Sequence, residues 1–184
     1  EALNRLSSDI GFDGTISVNI PPSALGDVSL TNRLISTVAS KGVLHSRVMV
    51  EITETSVPKD ISTGMDIEMR LRVHGFQLSI DDFGTGFSSL ERLRSSPFDE
   101  LKIDLVFVRD ALRDPSAKSI VENSIQLGHS LEMKVVAEGV ENAETLALLS
   151  ELGCDIAQGY YISKPISMED LCKWSSTRPL HRVA

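Results

Sequence analysis

The sequence is poor in the residues that build disulfide frameworks and zinc centres. Its 184 residues include only two cysteines, Cys154 and Cys172, and its four histidines form no helical pair. This composition argues against a small disulfide-linked secreted domain, and the cysteine spacing does not fit a zinc site. We therefore expect the protein to work in a reducing, cytoplasmic environment.

Long apolar runs and a surplus of positive charge are also missing. No apolar stretch approaches the roughly 20 residues that cross a bilayer, and no signal-peptide pattern is present. The net charge of −8 disfavours general binding to nucleic acid or to an anionic membrane. A ligand that carries phosphates would need divalent cations to bridge it to this acidic chain. The length fits one domain, which we place at residues 1–175, followed by a polar tail at 176–184.

The sequence does contain a short β-type run that recurs six times. Each run ends at a polar or charged residue, and helix-like segments lie between the runs. Alternation of strand and helix without a hairpin signal predicts an α/β fold with parallel strands. The residues that mark the strand ends are Asn19, Glu51, Asp81 with Asp82, Lys102, Glu138 and Gln158.

Four segments have the apolar spacing and the end signals of helices. SLTNRLISTVASKG has a serine or threonine at its start as the expected cap and stops at Gly42. TGMDIEMRLRVHG stops at Gly75 in the same way. Pro115 lies near the start of DPSAKSIVENSIQLGHSLE, and Asn142 is the expected cap of NAETLALLSELG.

The number of strands favours an incomplete barrel. A complete eight-unit barrel averages about 250 residues, or ~31 per unit, so the chain has room for roughly six units. A doubly wound open sheet also accommodates six strands, but a glycine-rich phosphate loop usually follows its first strand. Here the first predicted strand runs into NIPPSAL, which contains two prolines and no glycine. We expect a TIM-barrel-like fold with about six βα units, its opening strands missing.

The carboxyl ends of parallel strands share one rim of a barrel, and barrel enzymes place their sites there. On this rim the predicted strand ends bring together four carboxylates and the amide of Asn19. Oxygen donors of this kind suit hard cations such as Mg²⁺ or Mn²⁺. So many carboxylates would repel one another strongly without a cation to neutralise them.

Asp81, Asp82 and Lys102 are the hardest of these residues to explain by structure alone. The aspartates follow the apolar run FQLSI directly and enter the loop FGTGFSS. Lys102 and Asp104 are expected on one face of a strand, because side chains alternate. A lysine in an apolar strand is costly unless it meets anions. The other candidates have ordinary alternatives: a turn at Asn19, a capping arrangement at Glu51 and Glu54, and a helix start at Glu138 and Glu141.

The stretch SIDDFGTGFSSLERLRSSPFDELKIDLVFV resembles the EAL-domain proteins, which hydrolyse the bacterial second messenger cyclic di-GMP. SVNIPPSAL, VMVEITET and VVAEGVENAETLALLSELGCDIAQGYYISKPI agree with the family in the same order, so the resemblance extends to about residue 175. It implies a modified TIM-type barrel, one or two Mg²⁺ or Mn²⁺ ions, and hydrolysis of one phosphodiester bond to give linear pGpG. It also implies a bacterial cytoplasmic location, sensory or regulatory domains upstream, and homodimerisation near the DDFGTG loop.

The resemblance assigns the metal ligands residue by residue. Asn19, Glu51 and Asp81 match metal ligands of the family, and Asp82 matches a ligand of the second metal.

The remaining matched residues have catalytic or supporting roles in the family. Lys102 matches the lysine that orients the attacking water, and Glu138 matches a glutamate needed for catalysis, at the metal site or as a general base. Glu54 matches the residue that steadies the DDFGTG loop. Glu141 and Gln158 match positions that line the site.

The chain departs from the family at its beginning. EAL proteins have a glutamate ligand in the E-A-L signature, on a strand some tens of residues before the asparagine. Here the segment between Glu1 and Asn19 is short and contains the breaker-rich SSDIGFDG, whereas a parallel crossover is usually helical. We expect EALNRLSS to be the end of a helix that precedes the asparagine strand, with its first three letters matching the signature by coincidence.

Three functions stay open at this point. The first is a metal-dependent cyclic di-GMP phosphodiesterase. The second is a catalytically inactive EAL-type module that binds cyclic di-GMP or another protein. The third, more remote, is a different phosphate-ester enzyme built on a barrel.

Overall fold

A computed structural model of the chain describes residues 2–56, 61–86 and 90–177. Its centre is one sheet of six parallel strands, whose order in space is their order in the chain. This sequential order is that of a barrel, since a doubly wound sheet reverses its strand order at a switch point. The sheet is a curled half-barrel, which confirms the predicted fold class. The strands are β1 (Ile16–Asn19), β2 (Val48–Thr53), β3 (Gln77–Phe83), β4 (Glu100–Ile103), β5 (Lys134–Ala137) and β6 (Ile156–Ala157).

Helices connect the strands, and the four predicted helices are confirmed as α2, α3, α6 and α7. The six-residue helices α4 and α5 were not predicted, because they are too short to show a periodic pattern. Short 3-10 helices occupy 22–26, 45–47 and 54–56. The helices are α1 (Ala2–Ile10), α2 (Val28–Ser40), α3 (Ile61–Val73), α4 (Leu90–Ser95), α5 (Leu105–Asp110), α6 (Pro115–Ser130), α7 (Ala143–Glu151) and α8 (Met168–Thr177).

Helix caps follow the sequence in α7 but not in α2. The Asn142 side chain accepts a hydrogen bond from the Thr145 N–H at 2.8 Å, as predicted. For α2 the expected serine or threonine cap is wrong: Asp27 caps the helix and accepts from the N–H groups of Ser29 and Leu30 at 2.7 and 3.3 Å. A carboxylate at this place also interacts favourably with the positive end of the helix dipole.

The hydrophobic core lies between the sheet and the helices. Val50, Ile52, Leu78, Leu101 and Ile103 are fully buried, and burying each such side chain stabilises the fold by about 1.5–3 kcal/mol. In β2 and β4 the residues between them are buried as well, so these strands are covered on both faces. The polar residues of these two strands therefore lie on the inner face, where they are shielded from solvent.

The two ends of the described chain meet beside the sheet. Among the described strands, β1 pairs with β2 and β6 pairs with β5, so these two strands form the sheet edges. Helix α1 packs against α8 and buries Leu3 and Leu6. Helix α1 also confirms the helix expected from ALNRLSS, although Glu1 itself lies outside the described residues.

The predicted domain boundary at residue 175 stays a prediction. Helix α8 continues to Thr177, and residues 178–184 of the predicted tail lie outside the described residues. Within the described part of the chain, every helix is too short or too polar to span a bilayer.

One arginine ties α1 and the segment after it to β2. The Arg47 guanidinium donates to the Gly14 carbonyl at 3.1 Å, the Ser7 hydroxyl at 2.8 Å and the Phe12 carbonyl at 2.6 Å. It also lies over the Phe12 ring, 5.9 Å from its centroid. This half-buried side chain thereby satisfies two carbonyls in the connection that leads to β1.

We expect Arg47→Met to lower the free energy of unfolding by about 1–3 kcal/mol, because it removes the donor of all three hydrogen bonds and leaves the Gly14 carbonyl without the guanidinium. Urea denaturation measures the difference. Arg109→Met is the matched control, since Arg109 is exposed and its ion pair within the described ranges is with its neighbour Asp110. This control should change the stability by no more than about 0.5 kcal/mol. Equal stability of the two variants would contradict this assignment.

Candidate functional site

Charged residues from four neighbouring strands lie on the inner face of the sheet. Glu51 lies on β2, Asp81 on β3 and Lys102 on β4, and Glu138 follows β5 directly. Glu51 is the register partner of Ser79, which lies two residues before Asp81 on β3. Lys102 is the register partner of Val136, which lies two residues before Glu138. The four side chains therefore form a diagonal that climbs towards the carboxyl ends of the strands.

A β-bulge brings Asp82 to the same place. Ile80 pairs with Leu101 and Phe83 with Ile103, so Asp81 and Asp82 together oppose the single residue Lys102. Asp82 has a φ of 57°, in the left-handed region, and its N–H donates to Asp81 Oδ1 at 3.1 Å. In a regular strand two consecutive side chains would point to opposite faces. The bulge removes that alternation and lets both carboxylates face the site.

Lys102 is the centre of the charged cluster. Its Nζ lies 3.3 Å from Glu51 Oε1, 3.0 Å from Asp81 Oδ1 and 2.6 Å from Glu138 Oε1. The residue is only 4% exposed, and a buried ammonium is tolerated only when it is paired and hydrogen-bonded. The predicted cost of a lysine in this strand is thus offset by carboxylates from three other strands.

Burial and charge both shift the acid–base properties of the cluster. Burial alone would lower the pKa of Lys102, but its hydrogen bonds and ion pairs with Glu138 and Asp81 outweigh burial and hold the pKa above its ordinary value. Burial raises the pKa of Glu138, although Lys102 opposes the shift. Burial and the neighbouring carboxylates of Asp81 and Asp104 raise the pKa of Asp82.

The carboxylates of Asp81, Asp82 and Glu138 have the geometry of a cation site. One oxygen from each lies within 4.8 Å of the other two. Glu51 joins them through its shared contact with Lys102. These residues offer oxygen atoms and no sulfur or imidazole, which suits Mg²⁺ or Mn²⁺ better than zinc. The residues present therefore fit the predicted cations.

Glu54 holds the loop that follows the two aspartates. Its Oε2 accepts from the N–H groups of Gly84 and Gly86 at 3.0 and 2.9 Å. Gly84 has a φ of 101°, which favours glycine. A Cβ at Gly86 would lie 2.9 Å from Glu54 Cδ. Both glycines are therefore needed for the carboxylate to reach the loop backbone.

The other predicted site residues lie at the margin of the cluster. Asn19 is exposed on the edge strand β1, where it pairs in register with Glu51. Gln158 is exposed just after β6 and lines a cleft of about 360 Å³ with Tyr160 and Trp174. Glu141 is exposed and does not belong to the carboxylate group described above.

Asp104 is placed differently from its predicted position. The prediction that it shares a strand face with Lys102 is wrong, because β4 ends at Ile103. Asp104 instead caps α5, with Oδ1 accepting from the Val106 N–H at 2.7 Å. Its buried carboxylate is close enough to raise the pKa of Asp82.

Sequence reasoning missed Glu100, which is 8% exposed on β4. The alternation that marks Lys102 as an inward-facing residue applies equally to the acid two positions earlier.

Comparison of this chain with known proteins gives matches that cover most of its length. The family model described as EAL domain matches residues 1–165. The cyclic di-GMP phosphodiesterase RocR of Pseudomonas aeruginosa is 34% identical over 175 residues, which cover 95% of this chain and 45% of RocR. The chain spans 20% to 45% of the length of the first curated relatives that it matches.

Solved structures show the same fold. The EAL domain of Mycobacterium smegmatis DcpA has a TM-score of 0.87 and 33% identity, covering 95% of this chain and 78% of that one. Klebsiella pneumoniae BlrP1 in its manganese and cyclic di-GMP complex has a TM-score of 0.77 and 30% identity, covering 86% of this chain and 40% of that one. The fold is therefore the TIM-barrel-like fold of EAL domains.

Replacing Lys102 should lower the stability of the metal-free protein and make its stability more dependent on a bound cation. We expect Lys102→Met to destabilise the metal-free protein by about 3–5 kcal/mol, because it leaves buried carboxylates without their partner. Mn²⁺ should then raise the melting temperature of this variant more than that of the unmodified chain, since the ion replaces the lost charge. Differential scanning calorimetry with and without Mn²⁺ measures both effects. The exposed Lys118→Met is the control, and an unchanged melting temperature for metal-free Lys102→Met would sink the prediction.

The raised pKa values of Glu138 and Asp82 predict a pH-dependent affinity for Mn²⁺. A carboxyl with a raised pKa keeps its proton to a higher pH, and a metal ligand must lose that proton. The affinity should therefore increase as the pH rises above the ordinary carboxyl range. Isothermal titration calorimetry between about pH 5 and pH 7.5 measures this change. An affinity that is constant over the interval would count against the site.

Proposed function

Because the chain belongs to the EAL domain family, we propose that it hydrolyses one phosphodiester bond of cyclic di-GMP to give linear pGpG, with Mg²⁺ or Mn²⁺ as cofactor. The observation that carries this proposal is the diagonal of charged residues centred on Lys102, which together with Asp82 brings four carboxylates and one ammonium to the carboxyl ends of the strands. RocR is a cyclic di-GMP phosphodiesterase and BlrP1 forms a complex with manganese and cyclic di-GMP, and both relatives support the same substrate and cofactor class for this chain.

The ligand set proposed for the cations is Asn19, Glu51, Asp81 and Asp82, with Glu138 adjoining it. Cations held there would supply Lewis-acid activation and neutralise the charge of the phosphodiester. The acidity of the cluster supports this assignment, because four carboxylates face one lysine and leave a surplus of negative charge. An anionic substrate would be repelled by that surplus in the absence of cations.

Lys102 and Glu138 are the proposed catalytic pair. The Lys102 ammonium donates hydrogen bonds and would orient the attacking water towards phosphorus. Glu138 would accept a proton from that water, and its raised pKa brings it closer to the range in which a general base works well. Their separation of 2.6 Å lets the same lysine stabilise the carboxylate form of the base.

Three further residues support the site in this proposal. Glu54 keeps the loop 82–86 in place through its two backbone contacts. Gln158 and Glu141 are exposed at the rim, where they are available to the parts of the substrate that do not react.

The second candidate function is binding of cyclic di-GMP, or of a protein, without turnover. The exposure of Asn19 on an edge strand favours it, because this proposed ligand is less enclosed than the carboxylates. Homodimerisation near the DDFGTG loop, upstream sensory or regulatory domains, and a cytoplasmic location stay predictions.

Hydrolysis can be tested by incubating the chain with cyclic di-GMP and Mn²⁺ and separating the products by chromatography. We expect pGpG to appear, and Asp81→Asn to lower its rate of formation by at least about a hundredfold, because the variant weakens both the cation site and the contact with Lys102. Glu144→Gln, an exposed change on α7, should be near the unmodified rate.

The other outcomes are informative as well. Tight binding of cyclic di-GMP without pGpG would support the second candidate function. Absence of both binding and turnover in a folded, Mn²⁺-loaded chain would contradict the proposed function.

A further inference from the structure

One buried polar pair on the inner face has no part in the steps proposed above. The Ser79 hydroxyl donates to Glu100 Oε1 at 3.0 Å, and the two residues are 0% and 8% exposed. They are direct register partners on β3 and β4. Burial raises the pKa of Glu100 while the Ser79 hydrogen bond opposes that shift, so the hydroxyl stabilises the charged carboxylate.

The pair lies at the base of the bulge. Beyond Ser79 and Glu100 the register continues for one more pair, Ile80 with Leu101, and then shifts at the two aspartates. Ser79 is two residues before Asp81, and Glu100 is two residues before Lys102. Because side chains alternate along a strand, the pair faces the same side as the ion pair between Asp81 and Lys102.

Because of this placement, the register between β3 and β4 determines which side chains face the site. A slip of one residue would turn every inward side chain of a strand outward, Lys102 included. Below the bulge, the register pairs are Ser79 with Glu100 and Ile80 with Leu101. One residue earlier, the Asp99 N–H donates to the Leu78 carbonyl at 2.8 Å and the Asp99 carboxylate accepts from the Leu78 N–H at 3.0 Å. The side-chain hydrogen bond adds a directional constraint where this ladder is short.

We propose that Ser79 and Glu100 form a positioning pair, which holds β3 and β4 in register beneath the bulge and so sets how Asp81 and Asp82 approach Lys102. The inference rests on the proposed function only in its claim that the aspartates bind a cation. The effect on the bulge itself does not depend on a metal.

Three variants test the proposal. Ser79→Ala removes the donor and leaves Glu100 buried without it. Glu100→Gln keeps an oxygen acceptor of the same size. The double variant Ser79→Ala/Glu100→Leu replaces both partners by apolar groups, a change that can restore stability even when the hydrogen bond is gone. Ser124→Ala is the matched control, since Ser124 is a buried serine on α6.

Two measurements are made on each variant, the affinity for Mn²⁺ by calorimetry and the deuterium exchange of residues 77–83 in the metal-free chain. We expect Ser79→Ala and the double variant to lose about tenfold in Mn²⁺ affinity, the order typical of residues that support metal ligands. Both should also exchange faster at residues 77–83. Glu100→Gln and Ser124→Ala should be close to the unmodified chain in both measurements.

The double variant separates positioning from simple stabilisation. If it recovers the melting temperature and also the unmodified Mn²⁺ affinity and exchange, the pair only stabilises the fold and the proposal is wrong. If Glu100→Gln loses as much affinity as Ser79→Ala, the charge and not the hydrogen bond matters, which also overturns it. Should the unmodified chain bind no Mn²⁺, the proposed function fails, while faster exchange in the double variant would still support the positioning role.

Discussion

The pairing of one buried ammonium with carboxylates from three other strands is the interaction on which the site depends. Lys102 is enclosed so completely that its charge is tolerated only because Glu51, Asp81 and Glu138 surround it. Each partner comes from a different strand, so the contact exists only when four strands are in their correct order and register. The ion pairs therefore require the correct strand pairing, and a wrong strand order or register would leave these buried charges unpaired.

The same cluster explains why the site would accept cations. Lys102 neutralises one of the four carboxylates that converge here, and the remaining negative charge lies on the inner face, where Asp82 and Glu138 are half-buried. Burial raises the pKa of Glu138 and Asp82, and the neighbouring carboxylates raise both further. A divalent ion offsets this negative charge by direct coordination. The hydrophobic core between the sheet and the helices stabilises the fold and so offsets the cost of gathering these charges on the inner face.

The sequence predicted the strands and their polar ends well, because both leave local signals in the chain. Five predicted residues, Glu51, Asp81, Asp82, Lys102 and Glu138, meet on the inner face for this reason. The bulge was beyond sequence reasoning, since a positive φ at an aspartate has no marker comparable to a glycine. The sequence analysis missed helices α4 and α5 and misplaced the cap of α2, which is Asp27. Each of these features extends over only one or two helical turns, which is too short for a clear sequence pattern.

The conformation of Asp82 shows how this local irregularity is maintained. A left-handed residue other than glycine costs of order 1–3 kcal/mol and persists only where the surroundings impose it. Here constraints act on both sides. Ahead of the bulge, the Ser79–Glu100 hydrogen bond joins β3 to β4, and after it Glu54 binds the backbone of Gly84 and Gly86. Neither contact touches the aspartates, yet together they confine the backbone that carries them. The site is thus shaped by the residues that flank the bulge as much as by the carboxylates within it.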